Sequence, residues 1–343
     1  MSAAIPIAEL VRRIEGWIGE GKLVIAPVGV GDRLFYQALG AASEAVFDAR
    51  RRPANSIKEF FFPRHEGIFR YRIDGPDIAL SDVAPDERER IVIAAKPCDA
   101  AALPILDRVF NWDYEDEFYT ARRARTTVIS LACAAHDEAC FCTSVGLGPA
   151  AEAGADAMLV DVGEGCFEAR AITEKGRALF GQTDATAEAG AGTLKGAPQQ
   201  KFDAARVTRF LDANFESPLW QQWTLACLGC GACAYTCPSC HCFDIVDEGN
   251  AAGGARVKNW DSCQFPLFTL HASGHNPRSA QPQRQRQRLL HKFSIYPRKF
   301  DAILCTGCGN CERNCPVGMG VRPVLEAIDG EARRQDEKEP VQA

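Results

Sequence analysis

The chain contains the stretch Cys227-Leu-Gly-Cys230-Gly-Ala-Cys233-Ala-Tyr-Thr-Cys237-Pro238. The same spacing returns later as Cys305-Thr-Gly-Cys308-Gly-Asn-Cys311-Glu-Arg-Asn-Cys315-Pro316. In both runs two residues separate the first three cysteines, and the fourth cysteine precedes a proline. Eight thiols are thus confined to two short runs, and we expect the fold of this region to be organised around them.

The spacing of the two runs is typical of iron–sulfur ligands. In bacterial two-cluster ferredoxins, C-x2-C-x2-C-x3-C-P gives three thiolates to one cluster and its fourth to the other cluster. We therefore expect two 4Fe–4S clusters. The predicted ligands of the first cluster are Cys227, Cys230, Cys233 and Cys315. The predicted ligands of the second cluster are Cys305, Cys308, Cys311 and Cys237.

The glycines of the runs fit this interpretation. Gly229, Gly231, Gly307 and Gly309 allow a positive φ, which brings amide N–H groups close to the sulfur atoms. A zinc-stabilised interaction module is the alternative. It is disfavoured because structural zinc takes two C-x2-C pairs and has no need of the third cysteine or of the Cys-Pro ending.

Composition limits the class of protein. Of 343 residues, 46% are hydrophobic and 24% charged, a balance typical of a globular protein with one large or two smaller domains. A net charge of −6 argues against a general nucleic-acid binder. No apolar stretch predicts a membrane span, and the N-terminus does not resemble a signal peptide. The 16 cysteines therefore indicate metal binding in a reducing cytoplasm rather than disulfides.

The first half of the chain alternates between helical and strand patterns. Apolar residues recur at helical spacing from Ile7 to Ile18, and Ala100 to Val109 is a second helical stretch. Short apolar strands are predicted at 23–26, 91–95, 127–131 and 158–162. Short buried strands separated by helices favour an α/β domain with a largely parallel sheet.

We expect the α/β domain to cover residues 1–200, ending in a small, polar linker at 181–200. A mainly α-helical, ferredoxin-like dicluster domain is predicted for 201–335, with helices at 202–214 and around Leu289. Residues 336–343 are predicted to form a frayed tail.

Four further cysteines follow predicted strands: Cys98, Cys133, Cys140 and Cys142. In open α/β sheets, ligands bind beyond the carboxyl ends of the strands. We therefore expect these thiols to hold a third cluster. The alternative is that they are buried small hydrophobic side chains, as free cysteines often are.

A rival group consists of Cys240, Cys242 and Cys263, which can bind metal if His241 or an N-terminal cysteine adds a fourth ligand. Cys166 has no neighbouring cysteine in the sequence and is interpreted as structural.

Residues 278–299 carry seven basic side chains and no acidic one. They form either a solvated helix face or a group of cations that offsets cluster charge or docks an acidic partner. Motifs for substrate chemistry are weak, because Gly29-Val-Gly31 lacks the third glycine of a dinucleotide fingerprint.

Ordered motifs of the second half resemble those of a known family. It comprises the beta subunits of cytoplasmic NAD(P)-linked nickel–iron hydrogenases (sulfhydrogenases) and the related electron-transfer subunits of anaerobic sulfite reductases. The motifs are Cys237-Pro-Ser-Cys240-His-Cys242-Phe243-Asp244, Trp260-Asp261-Ser262-Cys263, Gly274-His275-Asn276-Pro277-Arg278, His291-Lys292-Phe293 and the second cysteine run.

The first half is similar to this family as well. Its motifs are Lys96-Pro97-Cys98-Asp99, Phe118-Tyr119 with Arg122-Arg123, and Cys140-Phe141-Cys142-Thr143-Ser144. Lys96 departs from the arginine expected at that position, and a bidentate contact is lost with it.

The resemblance implies an electron-transfer protein without its own catalytic residues or flavin. Such a protein relays single electrons between a flavin subunit that uses NAD(P)H and a catalytic metal subunit, most often of a nickel–iron hydrogenase. Two alternatives remain open, the electron-transfer subunit of anaerobic sulfite reductase and a stand-alone iron–sulfur oxidoreductase.

Overall fold

The computed structural model describes residues 4–181 and 196–338. In chain order its strands are β1 (Ile5–Pro6), β2 (Leu23–Val30), β3 (Arg33–Ala38), β4 (His65–Asp74), β5 (Asp77–Asp82), β6 (Arg90–Ala95), β7 (Thr126–Leu131), β8 (Ala157–Gly163), β9 (Cys166–Ala171), β10 (Phe243–Asn250) and β11 (Gly253–Trp260). Its α-helices are α1 (Ile7–Gly19), α2 (Pro97–Ala100), α3 (Ala102–Phe110), α4 (Glu117–Ala124), α5 (Glu174–Phe180), α6 (Ala204–Ala213), α7 (Leu219–Thr224), α8 (Ala232–Thr236), α9 (Gln281–Leu290), α10 (Tyr296–Phe300), α11 (Asn310–Arg313) and α12 (Val321–Lys338).

The predicted α/β region is present and is built on a mixed sheet. The strand order in this sheet is β1-β9-β8-β7-β6-β2-β3. Strands β2, β6, β7 and β8 are parallel to one another, whereas the outer pairs are antiparallel. The apolar stripe of α1, which includes Leu10 and Ile14, packs on Ile91 and Ile93 of β6. The central strands are buried on both faces, which explains their continuous apolar sequences.

The carboxyl ends of β6 and β7 lie at the same edge of this sheet because the two strands are parallel neighbours. Pro97 begins α2 directly after β6, so that Cys98 is held in its first turn. Cys133 follows β7. The sheet thus places these two cysteines side by side, as the sequence predicted.

A second sheet joins the two halves of the chain. Its order is β10-β11-β4-β5, and all of its pairs are antiparallel. Buried Glu66 of β4 forms ion pairs with Lys258 of β11, at 2.8 Å, and with Arg122 of α4. Lys258 also contacts Asp116, the N-cap of α4, at 2.7 Å. This buried network fixes both β-hairpins against the α/β region.

The second half contains the predicted helices and also an unpredicted hairpin. The helix expected at 202–214 is α6, and Leu289 lies in α9, which continues as a π-helix over His291–Ile295. The β10–β11 hairpin lies between the cysteine runs, so this half is not purely helical. Helix α12 continues to Lys338, and the frayed tail predicted for 336–343 stays a prediction.

The predicted linker, the chain end and the domain boundary complete the comparison with the sequence. Most of the predicted linker and the last five residues lie outside the described residues. The division at residue 200 stays a prediction.

Candidate metal centres

The four cysteines predicted for the first cluster line one cavity. Cys227 follows α7, Cys233 lies in α8, and Cys315 follows α11. Cys230 is exposed, and Leu228 and Val317 at the cavity wall are 66% and 40% exposed. This cavity, site A (Cys227, Cys230, Cys233, Cys315), is therefore close to the protein surface.

Polar N–H groups surround the sulfur atoms of site A. The Nε2 groups of Gln285 and Gln281 donate to Cys227 Sγ at 2.7 and 3.1 Å. The backbone N–H of Met319 donates to Cys315 Sγ at 3.1 Å. Such donors stabilise the thiolate form that binds iron and tune the potential of a bound cluster.

The second predicted group, site B (Cys305, Cys308, Cys311, Cys237), is buried. Burial raises the pKa of Cys305 to about 12, although the cation of Lys292 opposes this change and the thiolate of Cys237 adds to it. Lys292 Nζ donates to Cys237 Sγ at 3.5 Å. Because burial disfavours isolated thiolates, site B needs a cationic group to neutralise their charge, and a metal cluster supplies one.

The glycines of the two runs have nearly identical backbone angles. The φ values are +68° at Gly229 and +76° at Gly231, and +64° at Gly307 and +77° at Gly309. Gly231 and Gly309 are the N-caps of α8 and α11. The prediction of positive φ is confirmed, and the repeated spacing produces the same local structure twice.

The four N-terminal cysteines also lie together, in site C (Cys98, Cys133, Cys140, Cys142), and all are buried. Arg52 connects two of them, with Nη1 3.5 Å from Cys98 Sγ and Nη2 3.6 Å from Cys133 Sγ. Burial raises the pKa of Cys142 to about 11, and the thiolates of Cys133 and Cys140 raise it further. The structure therefore brings together thiols that are far apart in sequence.

The rival group lies beside site B and not at the sheet edge. Cys240 contacts Cys237, and Cys242 contacts Cys263. His241 contacts the carbonyl oxygen of Ser239 through Nδ1 at 3.1 Å. Cys166 begins β9, and its Sγ lies 3.8 Å from the carbonyl oxygen of Glu164.

The basic stretch 278–299 is partly buried. Arg284, Arg288 and Lys292 are buried, whereas Arg298 and Lys299 are exposed. Burial lowers the pKa of Arg288, but nearby thiolates, including those of Cys233 and Cys311, outweigh this and raise it overall. The inward side of the stretch thus faces the cysteines, as the charge-offsetting interpretation predicts.

Sequence reasoning missed two other groups of residues at these sites. One is Arg52, which is distant in sequence from every cysteine it contacts; the other is the pair Gln281 and Gln285. Arg52 ends the run Arg50-Arg51-Arg52, but nothing in that run links it to Cys98 and Cys133, which are 46 and 81 residues away. The glutamines are four residues apart on α9, which places both on one helix face, and that spacing could have indicated a shared target.

The described residues contain no three His, Cys, Asp or Glu side chains arranged to hold a single metal ion. A cluster makes a different demand, because it occupies the space between its four thiolates and the cysteines need not converge on one point. The cavity at site A meets this demand. In the part of the chain that the structure describes, no helix is long and apolar enough to cross a membrane.

The chain resembles known proteins in its cysteine-rich region and along most of its length. Residues 226–319 match the family model described as "4Fe-4S dicluster domain". The chain is also similar to sulfhydrogenase 2 subunit beta of Pyrococcus furiosus, with 28% identity over 283 residues, which are 79% of this chain and 82% of that protein. No solved structure matches the chain significantly. The chain therefore carries a 4Fe-4S dicluster domain and is an iron–sulfur electron-transfer protein, and its resemblance to the family of sulfhydrogenase beta subunits is confirmed.

Proposed function

We propose that this chain relays single electrons through three 4Fe–4S clusters, held at sites A, B and C. The observation that carries the proposal is that site B adjoins both of the other cysteine groups. Cys308 of site B lines one pocket with Cys98, Cys133 and Cys142 of site C. Cys233 of site A packs against the apolar cluster that contains Cys305 and Cys311 of site B. Burial raises the pKa of Cys308 of site B, and the charge of Cys98 of site C raises it further. Cys233 of site A is likewise affected by Cys311 of site B. In this proposal electrons pass from site C through site B to site A.

Site A, at one end of this series, and site B, in its middle, differ in ways that suit a relay. Site A lies beside the surface, with Cys230 exposed and the apolar side chain of Leu228 uncovered. An exposed apolar rim is typical of a surface that contacts another protein. Site B is buried among cations, and Lys292 and Arg288 offset negative charge there. These two cations favour the more negative, reduced state of a cluster held at site B and so oppose the effect of excluding water from it.

The similarity to a sulfhydrogenase beta subunit supports work in a multi-subunit complex. In this proposal one partner is a flavin subunit that uses NAD(P)H, and the other is a catalytic nickel–iron subunit. The chain itself then needs no substrate pocket. A role in anaerobic sulfite reductase uses the same relay chemistry and differs only in the terminal acceptor.

The test is iron and sulfide analysis of anaerobically purified protein, together with a redox titration followed by electron paramagnetic resonance. We expect about 12 irons per chain, on the basis of four per cluster, and three reducible signals. About eight irons would remove site C from the relay, and colourless, iron-free protein would overturn the proposal entirely. Turnover of NAD(P)H by the isolated chain would favour a stand-alone oxidoreductase instead.

A further inference from the structure

A cleft of about 340 Å³ lies on the outer side of site C, and its lining is dominated by arginine. The turn between β2 and β3, the loop at 50–54, the loop after β7 and helix α11 form its walls. The arginines are Arg33, Arg50, Arg51, Arg52 and Arg313. In a chain with a net charge of −6, this is a local concentration of positive charge.

Neighbouring protein groups satisfy some of these arginines. Arg313 forms an ion pair with Asp137, with Nε 2.6 Å from Oδ2. Arg52 points to the thiols of site C, and Arg51 donates to the carbonyl oxygen of Asp32 at 2.8 Å. These contacts engage the arginines along the inner and lateral walls of the cleft.

Arg33 and Arg50 are the two arginines of the cleft that these contacts do not account for. The side chains of Arg33 and Arg50 are exposed and have no hydrogen-bond or ion-pair partner among residues 4–181 and 196–338. Besides Asp137, which Arg313 neutralises, the cleft contains one carboxylate, that of Asp32. The positive charge therefore exceeds what the protein itself balances.

The N–H donors of the guanidinium groups indicate which class of ligand the cleft binds. Guanidinium groups present paired N–H donors that match the oxygens of phosphate. The Nε of Arg52 is buried without a hydrogen-bond partner in the described structure, so the protein leaves part of this guanidinium unsatisfied behind the cleft. The volume of the cleft is within the range of small-molecule sites. We propose that this cleft binds a small multivalent phosphate-bearing anion, held chiefly by Arg33 and Arg50.

Anion binding at the proposed site is a function separate from electron transfer, and it does not depend on the relay. The anion occupies the side of Arg52 opposite to the thiols, so the guanidinium separates two negatively charged groups. Anion binding and the net charge of site C are therefore coupled through the side chain of Arg52. Each changes the free energy of the other by the same amount.

Isothermal titration calorimetry on the full iron-loaded chain, under argon and at low ionic strength, tests the proposal. The probes are pyrophosphate and ADP, which distinguish a free phosphate compound from a nucleotide. We expect a dissociation constant below about 1 mM for at least one probe. The double variant Arg33→Gln/Arg50→Gln should weaken binding at least about tenfold, because charged hydrogen bonds to the anion are lost.

The matched control is Arg70→Gln/Arg72→Gln, which removes the same charge from exposed positions on β4. It should leave binding within about twofold, since distant surface charges are screened. Iron is counted in every variant, so that loss of a cluster is not mistaken for loss of the anion site. Absence of binding up to about 10 mM of either probe overturns the proposal. Equal weakening in both variants, or binding of polyglutamate but neither probe, overturns it too, the latter in favour of an acidic protein partner.

Discussion

Nη2 of Arg313 lies 3.1 Å from the Sγ of Cys140. Arg313 belongs to the second cysteine run, between Cys311 and Cys315, whereas Cys140 lies in the α/β half of the chain. A guanidinium from one half thus contacts a thiol of the other half, and sites B and C share one electrostatic environment. A change of charge at one site is therefore expected to affect the other.

Replacing Cys133 by serine should remove the cluster proposed for site C. A serine hydroxyl is a much weaker iron ligand than a thiolate, so iron should fall from about 12 to about 8 per chain. Iron analysis and the paramagnetic signals of the reduced protein provide the measurement. Cys166→Ser is the control, because that thiol belongs to none of the three sites and contacts the carbonyl oxygen of Glu164, and it should retain all iron. Equal iron in both variants would contradict a cluster at site C.

Replacing Lys292 by methionine should lower the reduction potential of the cluster proposed for site B. The ammonium group lies 3.5 Å from Cys237 Sγ and favours the more negative, reduced state. Its loss should lower the potential by tens of millivolts, up to about 100 mV. A redox titration measures the shift. Lys299→Met removes the same charge from an exposed position of the same stretch and should shift the potential far less; similar shifts would refute a local effect of Lys292.

Replacing Gly307 by alanine should disturb the contact between sites B and C. Its φ is +64°, and an added Cβ would lie 2.5 Å from the Cα of Cys142. Both iron content and thermal stability should therefore fall. Gly318→Ala is a matched control, since its φ is +66° but nothing lies within 4 Å of the added Cβ. It should cost only about 1 kcal/mol of backbone strain and keep its iron. An unaltered Gly307→Ala protein would show that the close packing is not required.

Replacing Glu66 by glutamine should destabilise the second sheet strongly. The change leaves Lys258 and Arg122 buried with too little negative charge, and losing one partner of a buried ion network costs about 3 kcal/mol or more. Denaturant unfolding of the iron-loaded protein measures the loss. Asp247→Asn, which breaks an exposed pair with Arg256 on β10–β11, should leave the unfolding midpoint unchanged. Comparable midpoints for the two variants would rule out a structural role of the network.

The sequence predicted the four parallel strands of the mixed sheet, β2, β6, β7 and β8, because each is a largely continuous apolar run. It missed β1, β3 and β9 of the outer antiparallel pairs, which are shorter or partly exposed. The positive φ of the four run glycines was equally predictable, since the cysteine spacing demands it. The β10–β11 hairpin was not, because nearly every residue of β10 is exposed and no alternation of apolar and polar residues marks it. Arg52 was missed for a different reason, because its contacts with Cys98 and Cys133 exist only after the chain has folded.

The pairing of β4 with β11 has a consequence for the order of synthesis. Phe69 pairs with Arg256, so the ribosome releases β4 long before its neighbour exists. Until β11 is made, one edge of β4 has no partner strand, and Glu66 has no ammonium group beside it. An unpaired strand edge promotes association with other nascent chains. A fragment that stops near residue 200 would remain permanently in this state. The two halves of the polypeptide therefore depend on each other during biogenesis as well as in the finished protein.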